Sequence, residues 1–252
     1  MDKTLLKGLR VLEAVVTSGG PIGVTELAAR VGLLKSNAHR ILQTLVEAGY
    51  VAPGPAGGQY QPTLKLWTLG SAVAAGTDLR QVAGPHVKRL REATGETAYL
   101  ALREGLQAVF IEIQPSFRAI RLHTTIGTRM PAHCTSAGKV FLAFDDPRHG
   151  WMEEPSLQRF TQTTIVEQAA LRAELKAIKR QGYAVNRGEY REEVSGIAVP
   201  VFGANGAVIA ATGISGPSER FRPAAVKAWL PEVRTAGAEI SLLMGYQGSR
   251  EL

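Results

Sequence analysis

Two glycines do most to limit what the first fifty residues can fold into. Gly32 and Gly49 each follow a stretch whose apolar residues recur at helical spacing. A glycine in that place ends a helix, because it enters the left-handed region at little steric cost. Upstream, Leu5, Leu9, Leu12 and Val16, joined by Leu6 and Val15, mark a first helix that Ser18-Gly19-Gly20-Pro21 stops. A second, short helix is expected over about Val24 to Val31, burying Leu27 and Val31, with Gly23 as its N-cap. A third is expected from about Lys35 to Ala48. "YVAPGPAGGQYQP", Tyr50 to Pro62, then sets two short β-prone ends around a Pro/Gly tip, which predicts a hairpin. Helix, short helix, glycine turn, helix and hairpin is the order of a winged helix-turn-helix.

The third helix carries the chemistry. At about 100° per residue, Ala38, Ile41, Leu42 and Leu45 fall in one apolar sector, with Ser36, His39, Arg40, Gln43 and Glu47 opposite. A polar face is most simply a solvated one. Here, however, Arg can fork onto guanine, Gln can bridge adenine and Ser can bond either bases or backbone. Lys35 and Ser36 lie in the first turn, where free N–H groups attract a phosphate. A tip without large side chains can lie close to a phosphate backbone. Charge points the same way. The net charge is +7, and residues 1–75 carry seven Lys/Arg against four Asp/Glu, while the rest carries 22 against 18. A basic first third fits a polyanion partner.

Composition is that of an ordinary soluble globular protein, 45% apolar and 20% charged, and 252 residues favour two modest domains. No apolar run approaches the roughly 20 residues that cross a bilayer, and "MDKTLLKGLR" lacks the apolar core of a signal peptide. No membrane partner is expected. A single cysteine, Cys134, excludes an intramolecular disulfide and suits a reducing cytoplasm. "TLKLWTLGSAVAAG", Thr63 to Gly76, reads as a helix, and the chain on to about Thr94 as the connection to a second domain. Glu92 and Glu96 read as solvated helix-end charges. From Glu96, "TAYLAL", "AVFIEI", "AIRLHT", "GIAVPVF" and "AVIAATGIS" are strand-like, whereas "TSAGKVFLAF", "EQAALRAELKAIKRQG" and "RPAAVKAWLPEVRTAGAEISLLMG" are helical by period. The fold class is therefore α+β, with helices flanking a mixed sheet.

An ordered set of segments resembles the IclR family of bacterial transcription regulators: "LKGLRVLEAV", "VTELAARVGLLKSNAHRILQTLVEAGYV", "IRLHTTIGTRMPAHCTSAGKVFLAF", "IKRQGYAVNRGEYREEVSGIAVPVF" and "AVIAATGISGPSERF". The resemblance spans nearly the whole chain. It implies a winged helix-turn-helix DNA-binding domain over 1–75, a linker helix region over 76–94 and a GAF-like effector-binding domain over 95–252. It also implies a homodimer or homotetramer on a palindromic double-stranded operator. Lys35 to Leu42 becomes the start of the recognition helix. The family's "PKST" is here Leu34-Lys35-Ser36-Asn37, which loses the preorganising proline and places Asn37 at the edge of the polar face. The DNA-contacting set is then Thr25, Lys35, Ser36, Asn37, His39, Arg40 and Gln43, with Gly57 and Gly58 at the wing tip.

In the second domain, a turn at "GANG" (Gly203 to Gly206) would oppose Phe202 to Ala207, Ala198 to Ala211 and Gly196 to Gly213. Alternation then gathers Gly196, Ala198, Ala211, Gly213 and Ser215 on one face. A face so poor in bulk either receives a closely packed helix or leaves a cavity. The residues alone leave both open, and the resemblance implies the cavity. It further implies an effector site built from Met130, Cys134, Ser136, Ala137, Asn186, Val194, Gly196, Gly213 and Ser215, with free N–H groups of Ser136 and Ala137 facing a carboxylate. Some members that bind small acids carry Asp, Cys and Ser where this chain has Asn186, Gly196 and Gly213. The exchanges remove bulk and a negative charge. The expected effector is a carboxylic acid larger than glyoxylate or pyruvate, an aromatic acid being favoured, in control of a catabolic operon.

Two rival readings follow from the same residues. Cys134 beside His133 could be a nucleophile and base, or join His123 in a zinc site. Sequence neighbours in an extended segment point apart, and no C-x-x-C or H-E-x-x-H spacing is present. No catalytic residue, metal or cofactor is expected. Alternatively the helical head could grip a protein rather than DNA, against which its charge and its donor-rich helix argue.

Overall fold

The computed structural model describes residues 3–75, 78–144 and 157–248. The chain divides into two compact units, Met1–Thr77 and Asp78–Leu252.

The first unit holds α1 (Lys3–Val16), β1 (Ile22–Gly23), α2 (Val24–Val31), α3 (Lys35–Glu47), β2 (Val51–Pro53), β3 (Gln59–Pro62) and α4 (Leu64–Ala75). Both glycines act as helix terminators, Gly32 at φ 67° and Gly49 at φ 74°. Past Gly32, the Leu33 amide donates back to the Ala28 carbonyl, and past Gly49 the Tyr50 amide donates to Leu45. Each closure satisfies a helix-end carbonyl that would otherwise be orphaned. The apolar sector of α3 packs as its spacing requires, with Ala38 and Leu42 fully buried. Leu42 joins Val11, Val15, Leu27, Val51 and Tyr60 in one core. The hairpin forms in the register Val51↔Pro62 to Pro53↔Tyr60. A two-residue strand at Ile22–Gly23, too short to show in the sequence pattern, adds a third strand to it.

The second unit contains α5 (Asp78–Thr94), β4 (Thr97–Glu104), β5 (Gln107–Gln114), β6 (Arg129–Pro131), α6 (Ser136–Phe144), α7 (Gln168–Gln181), β7 (Ala184–Arg187), β8 (Val194–Phe202), β9 (Val208–Pro217) and α8 (Pro223–Leu243). Its six strands run in the order β6-β5-β4-β9-β8-β7. Every pairing is antiparallel, which corrects the expectation of a mixed sheet. Helices α5 and α8 cover one face through Leu79, Val87, Leu90, Val233 and Ile240. Helix α6, backed by α7, covers the other, with Val140, Phe141 and Ile178 against Tyr99, Ala184, Ala198 and Ala211.

Four further expectations are revised. The segment 76–94, expected as a linker helix region, begins outside the described residues at 76 and 77, and the helix itself is present. From Asp78 it is α5, whose apolar residues belong to the second unit's core. "AIRLHT" is not a strand. Ser116 is tied to Gly95 and Thr97, and the Ile120 carbonyl accepts from Arg220, so the chain leaves the sheet edge. Glu96 is fully buried, not solvated, and Arg220 clasps both its oxygens at 2.6 and 2.7 Å. Burial of a carboxylate is tolerable only with such pairing. Finally, a turn one residue longer sets Phe202 against Val208, and a bulge at Val201/Phe202 adds a second residue, which sets Ala198 against Gly213 and Gly196 against Ser215. The final offset is two residues, so the small residues keep the face their alternation assigned them.

Candidate functional site

In the first unit, Lys35, Ser36, His39, Arg40 and Gln43 all stand exposed along α3. Thr25, in the first turn of α2, and the tip glycines Gly57 and Gly58 are exposed as well, while Asn37 is half-buried at the edge of the face. Gly58 needs its glycine, since φ is 79° where the tip turns. Leu34 caps α3 without a side-chain bond, so the first backbone N–H groups of α3 remain available to an anion. Among the described residues, the side chains of Lys35 and Arg40 have no hydrogen-bond or ion-pair partner. Gln43 is partly committed: its amide donates to the Tyr60 hydroxyl at 3.1 Å and lies 3.5 Å from His39 Nε2. That bond braces the recognition face against the wing. Periodicity could not reveal it, because Tyr60 comes from another element.

The second unit encloses a cavity of about 220 Å³ between the sheet, the start of α6 and the segment after β5. Met130, Ser136, Ala137, Asn186, Val194, Gly196 and Ser215 line it, as expected. Strand register explains why several meet. Thr97, Ser215, Gly196 and Asn186 pair in succession across β4, β9, β8 and β7, forming one row. A Cβ on Gly196 would stand 3.1 Å from the Ser136 hydroxyl and 2.8 Å from the Ile214 carbonyl. The missing side chain is thus what lets the first residue of α6 settle over the sheet.

Gly213 and Cys134 do not line the cavity. Gly213 belongs to the next row, Tyr99–Gly213–Ala198–Ala184. That row packs beneath α6, and a Cβ there would strike the Ile197 carbonyl. Both outcomes that a small-residue face allows are therefore present, a packed helix on one row and a cavity on its neighbour. Cys134 is fully buried with its Sγ 3.8 Å from the Pro131 carbonyl. Burial first, and then the nearby Glu189 charge, push its thiol up to about 12. His133 lies with it in a helical turn, not an extended segment, and donates from Nε2 to the Gln158 carbonyl at 2.9 Å. The two do not form a nucleophile–base pair. His123, far from being a metal ligand with them, sits exposed at the cavity wall. Among the described residues no group of three or more His, Cys, Asp or Glu is placed to hold a metal ion.

Several lining residues escaped the pattern. Leu122, His123, Thr124, Thr125 and Thr128 come from the irregular segment after β5, Tyr190 and Arg191 from the turn before β8, and Tyr99 and Phe110 from the sheet. Only Thr135 left a recognisable signal. A threonine before a helical run is a natural N-cap, and its Oγ1 accepts from the Gly138 amide at 3.2 Å. With Gly138 and Lys139 bonded to Thr135, the N–H groups of Ser136 and Ala137 have no protein acceptor among the described residues. The asparagine is partly engaged too, for Asn186 Oδ1 accepts from the Glu189 amide at 2.8 Å. Beneath, Lys139 is fully buried and donates to Glu189 at 2.7 Å and to the Val185 carbonyl at 2.9 Å, which fixes α6 to the turn that carries Tyr190 and Arg191.

An exposed donor-rich helix braced by a wing is the architecture of a DNA-binding protein, here joined to a second unit that holds a cavity. Residues 4–55 match the IclR helix-turn-helix domain and residues 71–242 match the bacterial transcriptional regulator IclR C-terminal domain. The chain belongs to the IclR family of DNA-binding transcriptional regulators. It is 33% identical over 250 residues to the DNA-binding transcriptional repressor YiaJ of Escherichia coli, covering 97% of this chain and 89% of that protein. It is 35% identical over 245 residues to the transcriptional regulator KdgR of the same organism, covering 96% and 93%. Among solved structures, an IclR homologue from Microbacterium hydrocarbonoxydans in complex with 4-hydroxybenzoate superposes with a TM-score of 0.83 at 27% identity, covering 96% of this chain and 99% of that one. No helix among the described residues is long and apolar enough to cross a membrane.

Proposed function

We propose that this protein is an effector-controlled repressor of a catabolic operon. In this reading it acts in the cytoplasm as a homodimer or homotetramer on a palindromic site, without catalysis of its own. The observation that carries the DNA half is the α3 face, where Lys35, Ser36, His39 and Arg40 stand exposed above a fully buried Leu42. The symmetry of a dimer would present two such helices to half-sites in successive major grooves. Repression is supported by the named function of YiaJ.

The effector is a carboxylic acid, with its carboxylate at the free N–H groups of Ser136 and Ala137. The cavity, about 220 Å³, is larger than the roughly 150 Å³ engineered cavity that takes up benzene, so a ring-sized acid fits it. Phe110, Leu122, Met130 and Val194 offer apolar surface for a ring. The 4-hydroxybenzoate complex of the Microbacterium homologue favours an aromatic acid. The effector shifts DNA affinity only by the amount it prefers one arrangement of the heads over the other.

A mobility-shift titration on the gene's own upstream region tests the whole reading. Binding is expected without effector and release with 4-hydroxybenzoate or benzoate, with pyruvate and glyoxylate inert. Release by the small acids alone would remove the aromatic reading, and no retardation at any salt concentration would remove the DNA reading.

A further inference from the structure

Tyr99 lies on β4 with its ring edge-on to Phe110, centroids 4.9 Å apart, and is 3% exposed. The ring has room because its neighbours in the same row are Gly213 and Ala198. Its hydroxyl lies 3.0 Å from the Ser136 hydroxyl and has no other partner among the described residues. Either hydroxyl can be the donor of this pair. Where Tyr99 donates, Ser136 accepts, and the Ser136 hydrogen is left to turn toward the cavity. Burial, outweighing the bond to Ser136, pushes the Tyr99 hydroxyl up to about 12, so this donor keeps its proton throughout the neutral range.

That direction matters for what the site accepts. A free serine hydroxyl offers a ligand either a proton or lone pairs, so it suits an amide N–H as well as a carboxylate. One that already accepts from Tyr99 has its own hydrogen turned away from Tyr99. The two free N–H groups beside it are donors only. All three favour a ligand group that has acceptors and nothing else.

We propose that Tyr99 is a positioning residue for effector recognition: it commits the Ser136 hydroxyl to donate, and so makes the start of α6 select an anionic carboxylate over the matching neutral amide. This rests on the reading that the cavity holds a carboxylic acid. It adds a residue at the cavity wall that acts on the carboxylate through Ser136, and a selectivity that the N–H groups alone do not set.

Calorimetric titration of the full-length protein tests it, with benzoate, 4-hydroxybenzoate and pyruvate as probes beside benzamide, 4-hydroxybenzamide and pyruvamide. Tyr99→Phe keeps the ring and its contacts. It is expected to weaken binding of the acid by about tenfold, the scale of one hydrogen bond to a charged group, while changing amide binding less than about twofold. The double variant Tyr99→Phe/Ser136→Ala is expected to bind the acid no more weakly than Ser136→Ala alone, because Tyr99 acts only through that hydroxyl. Equal losses for acid and amide, or additive losses in the double variant, would mean that Tyr99 merely packs, and would overturn the proposal. Ser136→Ala supplies an independent arm: if it keeps the wild-type preference for acid over amide, the proposal also fails. Wild-type protein that binds none of the three acids refutes the carboxylate reading itself, and this role with it. Loss of the Tyr99 role alone leaves wild-type acid binding intact.

Discussion

The α3 face and the cavity wall place the same chemical groups under opposite constraints. On α3, hydroxyl, guanidinium and amide groups stand exposed on one continuous segment, and of these only Gln43 is tied to another element among the described residues, through Tyr60. In the cavity, Ser136, Asn186 and Ser215 are each under 10% exposed and arrive on separate elements, held by pairing with neighbouring strands or by α6. A side chain on the first surface can change affinity with little cost to the fold. A side chain in the second is also a structural part, so affinity and stability move together.

Substitutions can break or sharpen that contrast. The largest effect is expected beneath the recognition face. Leu42→Ala empties a fully buried site and should destabilise the first unit by about 2–5 kcal/mol, measured by urea unfolding, with loss of DNA binding following the loss of fold. Next come the two glycine rows. Gly213→Ser drives a side chain into the β8 backbone and should cost about 1–3 kcal/mol, the usual range for overpacking, with a smaller loss of acid affinity than at Gly196, because Gly213 meets the cavity only through its row neighbour Tyr99. Gly196→Ala presses on the Ser136 hydroxyl and should lower acid affinity as well as stability. If both variants behaved alike, the division into a packed row and a cavity row would be wrong.

The smallest effect concerns the buried acids Cys134 and Tyr99. Both hold their protons more firmly folded, at about 12 against ordinary values of 9.0 and 10.0. The unfolded chain therefore ionises first. Their contribution to stability is complete below about pH 9, and is lost progressively as pH rises from there toward 12. Thermal melts across that range should show the decline, and at pH 8 Cys134 should resist an aromatic disulfide reagent until denaturant is added. Rapid labelling of native protein would place the thiol at an accessible surface instead.

The head of the molecule was legible because its signals are local. Gly32 and Gly49 end helices by their own conformational freedom, and the polar face of α3 follows from a single period. The second unit was legible in its strands, its helices and the parity of its small residues. It was not legible where one element decides the role of another. The Val201/Phe202 bulge moved the register, the ties of Ser116 and Arg220 drew "AIRLHT" off the sheet, and Arg220 made a core group of Glu96. Tyr99 stands inside the strand-like run "TAYLAL", and nothing local marks it, since its partner Ser136 lies 37 residues away in sequence.

The central claim is that the exposed side of α3 enters duplex DNA, and one measurement addresses it most directly: operator affinity of wild type and Arg40→Ala across a salt series, with acid affinity measured in parallel. The expected result is a steep linear fall of log affinity with log salt, as phosphate neutralisation releases counterions. Arg40→Ala should lose about 1–3 kcal/mol if Arg40 reads a base, with acid binding untouched. Equal operator affinity in both proteins, with no response to salt, would contradict it.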